Sequence, residues 1–349
     1  MSRWAVILAG GVGSRFWPLS TPRRPKQLLP LITESPLLAD TVARLSELVP
    51  PERTLVVTNA SLANAVRALL PQLPADNVIA EPRAAGTAPA LAWAAAAIAR
   101  RGRPEDVMIC VHADWAIGND AAFRATLARA AALAEREHSL VTVGIVPARP
   151  DPGFGYIEPG EPVNGAASEG ARHVARFAEK PNREAAARMV ASGYLWNSGI
   201  FVWRAGDFLA EVRARATEVA PSLPLAESGD IAGFFTAVTP ISVDEGVLER
   251  SPRVLVIPGD FGWDDVGTWA ALHRVRKRDD SGNATFGDVH AVQASNNVVH
   301  AEAGTVVLYG VSDLVVVARE GLTLVTTKER AAELKLLLDV LPASVRERS

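Results

Sequence analysis

Apolar and polar residues alternate in short blocks through the first half of the chain. Residues 4–8 form an apolar run that ends in Gly10-Gly11-Val12-Gly13, and read as a strand entering a turn. Residues 54–58, 78–80, 107–111 and 140–146 have the same strand-like character. Between them, residues 37–48, about 61–70, 88–100 and 120–137 carry helical spacing, with Thr87 the expected cap of the third helix and Pro89 in its first turn. This βαβα succession predicts an α/β fold with a doubly wound, mostly parallel sheet and helices on both faces. Ligands in such folds bind at the C-terminal ends of the strands.

From residue 147 to 170 the chain is rich in Pro and Gly and reads as an insertion of loops or hairpins. Strand-like runs follow at 174–178, 200–203 and 254–257, and helical ones at 183–191, 208–216 and 268–278. The run Asp279-Asp280-Ser281-Gly282-Asn283 marks a boundary, dividing the chain into a larger unit, 1–280, and a small unit, 281–349. Beyond it come β-branched runs at 289–292, 297–300, 305–308, 314–317 and 322–325, separated by turns. These predict a small β-helix-like unit, closed by a helix over 328–341 that ends at Pro342. The small unit and its helix are candidate contacts of a homodimer, although Leu334, Leu336, Leu337 and Leu338 fit packing within the chain equally well.

Composition narrows the class. Of 349 residues, 48% are apolar and 21% charged, with a net charge of −3, which supplies a core and gives no sign of disorder. A nucleic-acid footprint would need a basic face, so no nucleic-acid partner is expected. The single cysteine, Cys110, excludes an intrachain disulfide and sits in an apolar run, as a core residue would. No apolar run approaches the length of a membrane span, and the N-terminal one is too short for a signal peptide. The expected compartment is the cytoplasm.

The chemistry concentrates at the first strand's end. Leu8-Ala9-Gly10-Gly11-Val12-Gly13-Ser14-Arg15 is followed by Pro25-Lys26-Gln27. Glycines there let backbone N–H groups approach phosphate oxygens, and Arg15 and Lys26 add positive charge suited to a triphosphate. A Walker A loop would close on Gly-Lys-Ser or Gly-Lys-Thr, which is absent. A dinucleotide fingerprint would open a helix with Gly-x-Gly-x-x-Gly, but Phe16 takes the last position and Pro18 interrupts the helix.

With these residues the chain resembles the sugar-phosphate nucleotidyltransferases, and within them the guanylyltransferases that act on mannose 1-phosphate. The resemblance extends over nearly the whole length. Glu81-Pro82-Arg83 with Gly86-Thr87-Ala88-Pro89 resembles the family's nucleotide loop, with Gly86 where Asn is usual. Ala113-Asp114 resembles the first metal segment, with Trp115 where His is usual. Phe177-Ala178-Glu179-Lys180-Pro181 and Trp196-Asn197-Ser198-Gly199 resemble the sugar-side motifs, and Gly262-Trp263-Asp264-Asp265-Val266-Gly267 the second metal segment.

The resemblance implies a Rossmann-like nucleotidyltransferase fold, GTP and mannose 1-phosphate as substrates, and Mg²⁺ as cofactor. It assigns Arg15 and Lys26 to catalysis, and Leu8, Gly10, Gly11, Gly13, Glu81 and Thr87 to the nucleotide. Gly155, Glu179, Lys180 and Asn197 fall to the sugar phosphate, and Asp114 and Asp265 to the metal. Asp260 and Asp264 stand beside Asp265 as second choices, and Asp244 and Glu249 match a further segment without an assigned role. Two alternatives stay open: another sugar 1-phosphate or triphosphate, and a non-catalytic regulatory homologue. The second would be expected to lose Arg15, Lys26 or the aspartates, all of which are present.

Overall fold

The computed structural model describes residues 1–11, 15–164 and 170–346. Gly13, one of the expected nucleotide contacts, lies outside the described residues. The chain packs as two compact units, each drawn from several stretches of sequence. One comprises residues 1–10, 42–112 and 119–261; the other comprises 11–41, 113–118 and 262–349.

The first unit is built on a nine-stranded sheet. Its strands are β1 (Arg3–Leu8), β2 (Thr54–Asn59), β3 (Val78–Glu81), β4 (Val107–His112), β5 (Leu140–Ile145), β6 (Tyr156–Pro162), β7 (Arg172–Ala178), β8 (Leu195–Arg204) and β9 (Val254–Gly259). They lie in the order β3-β2-β1-β4-β8-β5-β9-β7-β6. β1 pairs in parallel with both β2 and β4, and β5 in parallel with β9, whereas β8 runs antiparallel between β4 and β5. Central strands covered on both faces need apolar residues at every position, which is why β1 and β4 read as unbroken apolar runs. Cys110 is fully buried in β4, as the sequence predicts. The Ala-rich helix Thr87–Arg101 contributes most of its length to the same core, where Trp93 packs edge-on to Phe235.

Two differences from the expected elements matter for the site. β8 begins at Leu195, five residues earlier than its β-branched core suggests. It also carries an irregularity: Gly144 faces Asn197 while the neighbouring Val143 faces Ile200. The extra residues bulge at Ser198-Gly199, where Ser198 Oγ donates to the Val143 carbonyl at 2.6 Å and Gly199 adopts φ 72°. A bulge re-aims the side chains beside it, here Asn197. The second difference is the cap of the helix Thr87–Arg101. Gly86, not Thr87, is the N-cap. Its φ of 85° and ψ of 173° lie in a region open essentially to glycine, and a Cβ there would stand 2.2 Å from the Ile241 carbonyl oxygen. Thr87 Oγ1 instead accepts a hydrogen bond from the Val243 N–H at 2.8 Å.

In the second unit, β10 (Ala284–Phe286), β12 (Val298–Ala301) and β14 (Leu314–Arg319) stack in parallel, and β11 (Val289–Val292) stacks on β13 (Val306–Tyr309). β15 (Leu322–Thr327) closes the stack antiparallel to β14. Equivalent positions of successive coils meet: the Asn283 side-chain oxygen accepts from the backbone and the side-chain amide of Asn297, and Asn297 accepts from the Leu314 N–H. These asparagines satisfy backbone groups at the corners where the ladder breaks. Phe16, Leu19, Leu29 and Leu31 share one core with Trp269, Val298, Val315 and Leu334. Phe16 meets Trp269 edge-on at 5.1 Å.

Candidate active site

Lys26 opens a single 3₁₀ turn, Lys26–Leu28, and is 7% exposed. An ammonium that deep must be paired. Its Nζ donates to Asp114 Oδ2 at 3.1 Å and to the Asp265 carbonyl oxygen at 2.6 Å. Three residues distant in sequence thereby become one cluster. Arg15 joins it: a Cβ placed on Gly267 would lie 3.3 Å from Arg15 Nη1 and 2.7 Å from Asp265 Oδ2. Gln27 Nε2 donates to the Gly11 carbonyl at 2.8 Å, tying the Gly loop to the Lys26 turn.

The structure separates the three neighbouring aspartates by their partners. Asp264 is 5% exposed, and its carboxylate accepts from Arg274 Nε and Nη2 at 2.9 and 3.0 Å and from the Val266 N–H at 2.9 Å. Its charge is neutralised inside the fold. Asp260 is exposed. Asp265 accepts from the Gly267 N–H at 3.2 Å. Burial pushes its carboxyl up from the ordinary range; Lys26 opposes that, while Asp264 and Asp114 add to it. Carboxylates that repel each other in a partly buried place form a donor set suited to a hard divalent cation. Trp115 packs edge-on to Trp263 at 5.9 Å.

The expected sugar-side residues gather in the first unit. A Cβ on Gly155 would meet Glu179 Oε2 at 3.1 Å and Asn197 Cβ at 3.5 Å, and the Asn197 N–H donates to the Gly155 carbonyl at 2.8 Å. Lys180, in the left-handed region at φ 36°, pairs with Glu179 at 2.8 Å, both side chains being about two-thirds exposed. Such an exposed pair contributes little stability and leaves both groups open to a ligand. Asn197 Nδ2 donates to Asp244 Oδ1 at 2.8 Å. Asp244 is thus a member of this cluster to which the sequence assigned no role. It starts a π-helical turn, Asp244–Leu248, a form that recurs at functional sites. Burial raises its carboxyl, Asn197 and His112 counteract, and Glu179 adds to the rise. The only sequence signal for it was its place in the segment Ser242-x-Asp244.

At the expected nucleotide side, Glu81 ends β3 and its Oε2 lies 3.3 Å from where a Cβ of Gly10 would stand. Burial pushes its carboxyl up to about 7. Leu8 points its side chain into the core, so only its backbone can face a ligand. Thr87 is half-buried, held by Val243.

An α/β sheet of this topology, a Gly loop and a buried lysine tied to two aspartates define a phosphate-transferring enzyme class. The chain belongs to the nucleotidyl transferase family, whose model matches residues 4–282. Residues 287–341 match the MannoseP isomerase/GMP-like beta-helix domain. The chain is 38% identical to mannose-1-phosphate guanylyltransferase ManC of Salmonella typhimurium over 98% of its own length and 74% of that protein. It is 39% identical to mannose-1-phosphate guanylyltransferase of Escherichia coli strain K12, with the same coverage. Among solved structures it resembles a Thermus thermophilus protein described as mannose-1-phosphate geranyltransferase. That similarity has a TM-score of 0.87 and 34% identity, covering 97% of this chain and 99% of the other. Among the described residues no helix is long and apolar enough to cross a membrane.

Proposed function

We propose that the chain transfers GMP from GTP to mannose 1-phosphate, releasing pyrophosphate and GDP-mannose. The observation that carries the reading is the Lys26 ammonium, buried against the Asp114 carboxylate and the Asp265 carbonyl. In the reaction, a phosphate oxygen of mannose 1-phosphate attacks the α-phosphorus of GTP as the bond to the pyrophosphate oxygen breaks in line. The nucleophile is already an anion, so the protein need not remove a proton. Its work is positioning and charge neutralisation. Arg15, Lys26 and the Gly-loop amides stabilise the charge that accumulates on pyrophosphate. Asp114 and Asp265 would hold Mg²⁺, which would supply neutralisation of phosphate charge when bound.

Gly155, Glu179, Lys180 and Asn197 bind the sugar phosphate, and Asp244 orients the Asn197 amide. Leu8, Gly10, Gly11, Gly13, Glu81 and Thr87 hold the nucleotide. The separate family matches at 4–282 and 287–341 support a catalytic part up to about residue 280 and a β part after it. Phosphorylated substrates of this kind, which do not cross membranes unaided, support a cytoplasmic setting.

The test is pyrophosphate release with a panel of triphosphates and sugar 1-phosphates, with and without Mg²⁺. Release only with GTP, mannose 1-phosphate and metal is expected. Release with another pair would overturn the specificity and keep the reaction. No release from folded protein with any pair would return the chain to a regulatory role.

A further inference from the structure

The loop bearing Lys26 has no strand and only one 3₁₀ turn of its own, yet it places a buried ammonium to within hydrogen-bond distance of two partners. A side chain held that tightly needs a backbone fixed from outside. Residues of the same compact unit supply that fixing at three points. The Pro18 carbonyl accepts from Arg319 Nη1, at the end of β14, at 2.9 Å. Arg24 makes a two-pronged ion pair with Glu302, just past β12, at 2.9 and 2.8 Å. The Leu31 carbonyl accepts from Arg276 Nε at 2.6 Å. Lys26 lies between the second and third of these points.

The second and third points are both anchored at β12. Arg276 is buried and also donates to the Val299 carbonyl at 3.2 Å and to His300 Nδ1 at 2.7 Å, both on β12. A guanidinium can only donate, so His300 Nδ1 accepts and its Nε2 carries the proton. That Nε2 faces Glu302 Oε1 at 3.8 Å. Phe286 stacks on the His300 ring at 4.3 Å and holds it in place. Arg24–Glu302 and Arg276–His300 are thus two separate polar contacts that flank the Lys26 turn, approaching each other only to 3.8 Å between His300 Nε2 and Glu302 Oε1.

We propose that these contacts are a positioning device: through Arg24–Glu302 and Arg276–Leu31, the C-terminal β strands set the place of Lys26 and hence the rate of nucleotidyl transfer. The inference rests on the catalytic reading of Lys26. The plain alternative is a tertiary staple that stabilises the fold and nothing more. The two differ in what they move. A staple lowers the melting temperature and leaves turnover alone. A positioning pair lowers kcat, leaves the KM for mannose 1-phosphate alone, and behaves as a unit.

Arg24 is 43% exposed at its side chain, so its replacement does not threaten the core. The experiment compares Arg24→Ala, Arg24→Lys, Glu302→Gln and the Arg24→Ala/Glu302→Gln double variant with the unaltered full chain. Each is measured for pyrophosphate release well below its melting temperature, with Lys26→Ala as reference. A drop in kcat of about tenfold in each Ala or Gln variant is expected, as for residues that orient a catalytic group. KM for mannose 1-phosphate should change by less than about twofold, Arg24→Lys should recover part of the loss, and the double variant should be no worse than either single one. Unchanged kcat with a lowered melting temperature would overturn the proposal, as would losses that multiply in the double variant. If Lys26→Ala itself turned over normally, the catalytic reading would fall first. If Lys26→Ala is inactive while the Arg24 and Glu302 variants are normal, only the positioning role falls.

Discussion

Glu81 gives a prediction whose size follows from its surroundings. It ends β3 beside Gly10, and burial pushes its carboxyl from 4.5 up to about 7. The folded chain therefore holds this proton more tightly than the unfolded chain does. Between pH 4.5 and about 7, folding takes up a proton, so stability falls as pH rises through that window. Above it, the buried carboxylate costs about 3 kcal/mol, the free-energy equivalent of the displacement. Glu81→Gln keeps the shape and removes the titration. Urea unfolding of both proteins, without nucleotide, should give stabilities within about 1 kcal/mol of each other near pH 5. Near pH 8.5 the variant should be more stable by up to about 3 kcal/mol. On the proposed nucleotide role of Glu81, the same variant should bind GTP more weakly at pH 8.5. A stability difference that is the same at both pH values would refute the reasoning, because it would show that the carboxylate is not destabilised by burial.

Asp265→Asn should leave folding intact, since burial already disfavours its charge, and should raise the Mg²⁺ concentration needed for half-maximal activity. Asp264→Asn should instead cost roughly 2 kcal/mol of stability, because it strands the Arg274 guanidinium; thermal melts together with metal titrations tell the two apart, and interchanged results would move the metal to Asp264. Gly86→Ala should destabilise by roughly 3 kcal/mol in a urea titration, since its Cβ would meet the Ile241 carbonyl oxygen at 2.2 Å; a neutral result would show that the loop can shift at little cost. Asp244→Asn should raise the KM for mannose 1-phosphate on the order of tenfold through loss of the charged acceptor for Asn197, and an unchanged KM would remove Asp244 from the sugar side.

The sequence by itself determined the order and kind of most elements in this protein. Buried parallel strands such as β1 and β4 must be apolar throughout, and the helix Asp120–Glu137 has bounds that its spacing announces. The candidate residues were legible because phosphate chemistry draws on few residue types: glycines after a strand, a lysine and an arginine downstream, aspartates at strand ends. The small β unit was legible from β-branched runs between turns, although its coil-to-coil register depends on Asn283 and Asn297, which a linear reading leaves among the turn residues.

The tertiary structure decided what spacing cannot carry. Asp264 and Asp265 are adjacent and chemically identical, and only the position of Arg274 shows which one is already neutralised. Gly86 reads as a departure from a familiar loop until its dihedral angles and the Ile241 carbonyl show that a side chain has no room there. Asn197 is aimed by a bulge that exists only because β5 and β8 pair out of step, and its partner Asp244 comes from a π-helical turn with no periodic signal. Lys26 and Glu302 lie on opposite sides of the most obvious sequence boundary, yet they share one compact unit. Hydrophobic periodicity records which face of an element is buried. It holds no record of which distant charge will stand beside another, because that depends on how the whole chain packs.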